Sequence, residues 1–141
     1  MEMREEPEQF IRTTSPVGVA EEKQDSAVRE APEHSITCAA CGQVVTYERF
    51  RTDIDEVFEH VFTNPHGYVF RIGLFSEAPG VLPAGMWIEE FSWFPGTLWR
   101  FVVCSDCYSH LGWEYSGSTE PTAADKGDFF GLVLTKLRGV E

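Results

Sequence analysis

The sequence predicts an all-β domain, on two observations. Short runs of aromatic and β-branched residues recur along the chain, and each stops at a cluster of turn-forming residues. Tyr68-Val69-Phe70-Arg71-Ile72-Gly73-Leu74-Phe75 carries apolar residues on both parities and ends at Ala78-Pro79-Gly80, as expected of a strand buried on one face and partly on the other. Trp99 to Val103 places Trp99, Phe101 and Val103 on one face of a second strand. Leu111, Trp113 and Tyr115 share a parity on a third, which ends at Ser116-Gly117-Ser118. Ile54 to His60 fits a helical turn or a strand equally well. No internal repeat of useful length is present.

The 141 residues suffice for one domain with a real core. Residues 1–33 are rich in Glu, Gln, Ser and Pro, with Phe10 as their only aromatic residue. They bury too little apolar surface to offset the entropy of ordering, and read as a disordered acidic tail, with a short amphipathic helix around Glu8 to Thr13 as the alternative. Residues 34–141 form the domain, since nearly every Phe, Tyr and Trp lies from Tyr47 onward. A formal charge of −12 disfavours nucleic acid and anionic membranes as partners, because like charges repel at encounter. No apolar run approaches a membrane span, and the acidic start lacks the apolar segment of a signal peptide. The expectation is a cytoplasmic protein.

All four cysteines fall in two C-x-x-C pairs, Cys38/Cys41 and Cys104/Cys107, about 60 residues apart. Two intervening residues let both sulfurs of a knuckle reach one tetrahedral ion, and two knuckles close the site. Disulfides are disfavoured in a protein that is not exported, and a redox dithiol would use only one pair. The expected cofactor is one structural Zn2+. Four thiolates leave it no open position for activating water. His34, His60, His66 and His110 are then not needed as ligands, and read as surface or hydrogen-bonded core residues.

Between and beyond the cysteines, aromatic residues crowd together in Phe91-Ser92-Trp93-Phe94-Pro95-Gly96-Thr97-Leu98-Trp99 and His110-Leu111-Gly112-Trp113-Glu114-Tyr115. Packing in a core is the ordinary use of such rings; walls around a flat or cationic guest are the other. With the two C-x-x-C pairs, Asn64-Pro65-His66-Gly67-Tyr68-Val69 and Phe130-Gly131-Leu132, these segments resemble, in order and spacing, the CULT domain of cereblon and its single-domain bacterial relatives. The resemblance runs from Cys38 to about Leu137.

It implies a β-tent, two antiparallel sheets meeting at a steep angle and pinned by zinc. It implies a cage walled by Trp93, Trp99 and Trp113, with Tyr115 at a fourth aromatic position and Asn64 and Pro65 at the mouth. The expected guest is a cyclic imide (a glutarimide, thalidomide-like) or a uracil- or uridine-like ring, its imide edge read by the carbonyl of Phe91 and the N–H of Trp93. Family members usually carry His where this chain has Phe91. Proteins ending in a cyclic imide are the alternative partner. Catalysis is not expected: the similar scaffold of methionine sulfoxide reductases uses a further nucleophilic Cys that this chain lacks. For hydrolysis of imides the nearby candidate bases, His66, Glu90 and Glu114, read as solvated surface groups. Trp87 has no site role and is read as packing.

Overall fold

A computed structural model describes residues 34–140, so the expectations for residues 1–33 lie outside the described residues. Nine strands follow one another: β1 (Ser35–Cys38), β2 (Val44–Tyr47), β3 (Glu59–Thr63), β4 (Val69–Phe75), β5 (Val81–Ile88), β6 (Leu98–Cys104), β7 (His110–Ser116), β8 (Phe129–Val133) and β9 (Leu137–Arg138). Two 3-10 turns, Glu48–Phe50 and Leu134–Lys136, are the only helical segments among the described residues. The strands make two antiparallel sheets, ordered β2-β1-β9 and β3-β4-β8-β7-β6-β5. The domain is therefore all-β, with two sheets.

The larger sheet buries both faces, which explains apolar residues on both parities of β4. On one face Phe75, Val102, Leu111 and Leu132 pack with Ile36, Val45 and Leu137 of the smaller sheet. On the other face Ile72, Leu74, Trp113 and Tyr115 are covered by Phe94 from the β5–β6 loop. The β4–β5 turn joins the sheets through hydrogen bonds from Gly80 N to Val45 O (2.9 Å) and from Thr46 Oγ1 to Glu77 O (2.7 Å). At Gly80 a Cβ would lie 2.0 Å from Val44 O, so the two backbones can meet only over glycine.

Three local expectations change. The first strand begins at Val69, one residue after Tyr68. Ile54 to His60 is neither a helical turn nor one strand: Ile54 and Val57 pair across Asp55 and Glu56, whose φ angles of 55° and 65° make a tight primed turn, and β3 starts at Glu59. Leu111 does not share a face with Trp113 and Tyr115. The β6–β7 register slips between Val102 and Val103, opposite Gly112, so Leu111 packs in the intersheet core while His110 turns to the face of Trp113.

Candidate functional site

The two C-x-x-C pairs form matching knuckles. In the first, Gly42 N donates to Cys38 O (2.8 Å) and Cys38 N to Gln43 O (2.8 Å); in the second, Tyr108 N donates to Cys104 O (3.0 Å) and Cys104 N to Ser109 O (2.9 Å). The residue after each second cysteine is left-handed, Gly42 at φ 84° and Tyr108 at φ 63°. Glycine takes that conformation freely, whereas tyrosine is strained there.

β1 and β6 bring the knuckles together, and all four sulfurs lie within 4.8 Å of one another. Cys38 Sγ is 3.8 Å from Cys107 Sγ, and Cys41 Sγ is 3.5 Å from Cys104 Sγ. A tetrahedral ion with metal–sulfur bonds of about 2.3 Å requires sulfur–sulfur edges of about 3.8 Å. The four residues therefore fit a tetrahedral thiolate site. Cys38 and Cys104 are buried, and Cys41 and Cys107 face outward. Backbone N–H groups point at two of the sulfurs, Gln43 N at Cys41 Sγ (3.5 Å) and Asp106 N at Cys104 Sγ (3.4 Å). Hydrogen bonding to Ser109, through its side chain and then its backbone, holds Cys107 down to about 6. Gln43 N–H pulls Cys41 the same way, but desolvation and the three neighbouring sulfurs outweigh it and push that thiol up to about 12. Without a cation, four such sulfurs cannot all ionise together.

The second site is a pocket of about 470 Å3 on the Trp113 face of the larger sheet. Asn64, Pro65, Phe91, Trp93, Trp99, Trp113 and Tyr115 all line it. His66 and Phe101 also line it. Phe101 was legible from its shared parity with Trp99, and His66 from its place beside Asn64 and Pro65.

Three elements hold these residues. The β6–β7 ladder pairs Trp99 with Tyr115 and Phe101 with Trp113, directly across from one another. The β5–β6 loop carries Trp93: Phe94-Pro95-Gly96-Thr97 closes with Thr97 N donating to Phe94 O (3.1 Å), Gly96 taking a φ of 86°, as a turn with Pro then Gly at its centre requires. Ser92 and Thr97 hydroxyls lie 2.7 Å apart, and Thr97 Oγ1 donates to Phe94 O (2.6 Å), so the loop is cross-braced. The β3–β4 loop carries Asn64, whose Oδ1 accepts from His66 N and Tyr68 N (2.9 Å each). That carbonyl is committed to the loop, and its NH2 is the polar end left for a guest.

The walls brace one another. Trp93 stacks on Phe62 at 4.9 Å and meets Trp113 edge-on at 5.0 Å, while Trp99 meets Phe101 edge-on at 5.2 Å. Trp99 Nε1 donates to Glu90 O (2.7 Å), which fixes its ring. Tyr115 is 2% exposed, and burial pushes its phenol well above the usual range. Phe91 is 71% exposed and left-handed, at φ 65°. Of the candidate bases, Glu114 is no surface group: it is 3% exposed and bonded to Arg100. Its position between Trp113 and Tyr115 in an alternating strand turns it to the opposite face. Trp87 covers the Arg100 guanidinium at 4.2 Å, the packing role expected of it.

No protein-family model matches the chain. Cereblons do. The Xenopus tropicalis protein is 34% identical over 77 residues, 55% of this chain and 17% of that protein. The Drosophila melanogaster protein is 35% identical over 81 residues, 55% of this chain and 13% of that protein. The Drosophila virilis protein is 47% identical over 49 residues, 35% of this chain and 7% of that protein. The aligned stretch thus spans at most 17% of the relatives named here. Among solved structures, the crystal structure of the Mis18 Yippee-like domain superposes with a TM-score of 0.47 at 16% identity, covering 76% of this chain and 94% of that one.

Fold and site together define a class: an all-β domain with a four-cysteine cluster that fits a metal ion and a separate aromatic pocket. The chain is a cereblon homologue over the aligned stretch.

Proposed function

We propose that the chain is a binding protein that holds a flat cyclic imide or a uracil-like ring in the pocket walled by Trp93, Trp99 and Trp113, with a structural Zn2+ at the four cysteines. The observation that carries this reading is the convergence of three indole rings and Tyr115 on one pocket whose rim also brings the backbone around Phe91 and Trp93. Such walls give both faces of a flat ring dispersion and apolar contact, while a backbone carbonyl and N–H at the rim suit an imide, which pairs one donor N–H with acceptor carbonyls. A side-chain contact from the family histidine is lost at Phe91, but the Phe91 carbonyl is not. The zinc would be held by Cys38, Cys41, Cys104 and Cys107, and would supply a covalent clasp between the sheets. We read the pocket as serving binding and not turnover, since Glu114 points away and no cysteine lies on its wall.

The test is a titration of the metal-loaded protein with uridine, a glutarimide and the N-methylated glutarimide, followed by quenching of tryptophan fluorescence. Saturable quenching by the free imides is expected. N-methylation should weaken it roughly 10- to 100-fold, since a buried carbonyl left unpaired costs about 1–3 kcal/mol. Trp99→Ala should abolish it. Folded protein that gives no response to either free imide would sink the reading.

A further inference from the structure

We propose that the buried pair Arg100–Glu114 is a positioning network that sets the aromatic pocket from behind and couples it to residues 117–128 on the opposite face of the sheet. The inference rests on the pocket's being a binding site. Arg100 and Glu114 are register partners in β6 and β7, flanked by the pairs Trp99–Tyr115 and Phe101–Trp113. Alternation puts the aromatic pairs on one face and the ion pair on the other. The ion pair thus clamps the ladder midway between the two pairs of rings that line the pocket.

Both side chains are buried, Arg100 at 4% and Glu114 at 3% exposure. Desolvating two charges costs several kcal/mol, and an apolar pair of similar volume is often as stable or more so. Stability alone is therefore a poor reason for the pair. What it supplies is directed geometry. Arg100 Nε donates to Glu114 Oε1 (2.8 Å), and its two terminal nitrogens donate to Ala123 O (2.9 Å) and Asp125 O (2.8 Å). Glu114 Oε2 accepts from Gly127 N (2.6 Å). Trp87 lies over the guanidinium and donates from Nε1 to Thr122 O (3.0 Å). The planar fork of Arg100 therefore ties β6 to β7 and to two carbonyls of a single loop, while Trp87 brings β5 against it and holds a third.

The loop is held by polar bonds and not by an apolar seat. A cavity of about 300 Å3, floored by Arg100, Val102, Glu114 and Phe130, lies beneath it. Its other ties are also polar, Lys126 to Glu77 and Asp128 N to Tyr115 O (2.7 Å). A guest that sets the twist of β6 against β7 sets these bonds too. By reciprocity, whatever the guest does to the loop, the loop does to the guest's affinity.

Two measurements on the whole protein test this. In amide hydrogen exchange, saturating glutarimide should slow exchange several-fold in residues 122–126, which the Arg100 and Trp87 bonds to Thr122, Ala123 and Asp125 tie to the back of the sheet; unchanged exchange in a protein that binds overturns the coupling. The double variant Arg100→Met/Glu114→Leu keeps the volume and leaves no lone charge. It should fold, bind glutarimide at least 10-fold more weakly, and show an altered exciton band in circular dichroism from the edge-on Trp93–Trp113 pair. Wild-type affinity and an unchanged band would reduce the pair to a structural role. Arg100→Lys, which keeps the charge and loses the fork, serves if the double variant does not fold, with the same expected changes. If the wild type binds no imide, the pocket reading fails first, and the exciton band still decides whether the network positions the rings.

Discussion

His110 links the two sites side by side in the chain. Its ring packs edge-on against Phe101 at 5.2 Å and Trp113 at 5.1 Å, and its Nε2 lies 2.9 Å from Gly112 O. Burial first, and Lys136 to a smaller degree, hold its pKa below the ordinary 6.5, against a weaker upward pull from the Gly112 carbonyl. The folded state thus prefers the neutral ring. Its contribution is complete above the unfolded value and is lost as pH falls from about 6.5 toward the depressed one. Thermal midpoints taken between about pH 7.5 and pH 5.5 should fall more steeply for the wild type than for His110→Phe, the difference isolating this ring from protonation of the cysteines. Equal slopes would remove His110 from the acid response. Sequence reading left His110 as an ordinary histidine because alternation puts it off the face of Trp113, and only the slip at Gly112 brings it round.

That slip belongs to the element scale. Gly112 has φ 158°, near extended, so its conformation alone does not demand glycine. Space does: a Cβ there would lie 2.2 Å from Gly131 O and 2.9 Å from Leu132 Cα in β8. Backbone atoms cannot swing aside as a flexible side chain can. Gly112→Ala should cost about 3 kcal/mol or more by overpacking, read as a lower urea midpoint. A variant as stable as the wild type would mean that β8 yields readily. The strands with plain signals, β4, β6 and β7, were legible because aromatic and β-branched residues dominate them. β5 was not, since Pro83 and Gly85 interrupt it, and as the edge of the sheet it tolerates both. The hairpin at Asp55-Glu56 was equally hidden, because a primed turn usually announces itself by Asn-Gly or Asp-Gly.

At the scale of the molecule, the clustering of the four cysteines and the aromatic lining of the pocket were readable from spacing and resemblance, whereas the buried ion pair was not. Arg100 and Glu114 sit at polar positions of alternating strands, which reads as a solvated face until the 117–128 loop is seen to cover it. The four-cysteine cluster bridges the ends of β1 and β6, and so the smaller sheet and the larger. Chelation should therefore unfold the smaller sheet at least, seen as loss of exchange protection in residues 35–47, and readdition of zinc should restore it. Cobalt in its place should give the strong thiolate charge-transfer absorption of a tetrahedral site. Retained protection after complete metal removal would show that packing alone joins the sheets.

The smaller sheet also has a consequence for the order in which the chain can be completed. β1 is its central strand, and its partner β9 lies about a hundred residues later, with Thr37 paired to Arg138 and Cys38 to Leu137. A nascent chain emerging from the ribosome presents the first cysteine pair early, and must wait for Cys104 and Cys107 to close the metal site. It waits longer still for β9. Until then one edge of β1 stays open beside the two thiols of Cys38 and Cys41, so synthesis passes through a long interval in which this segment depends on whatever shields it.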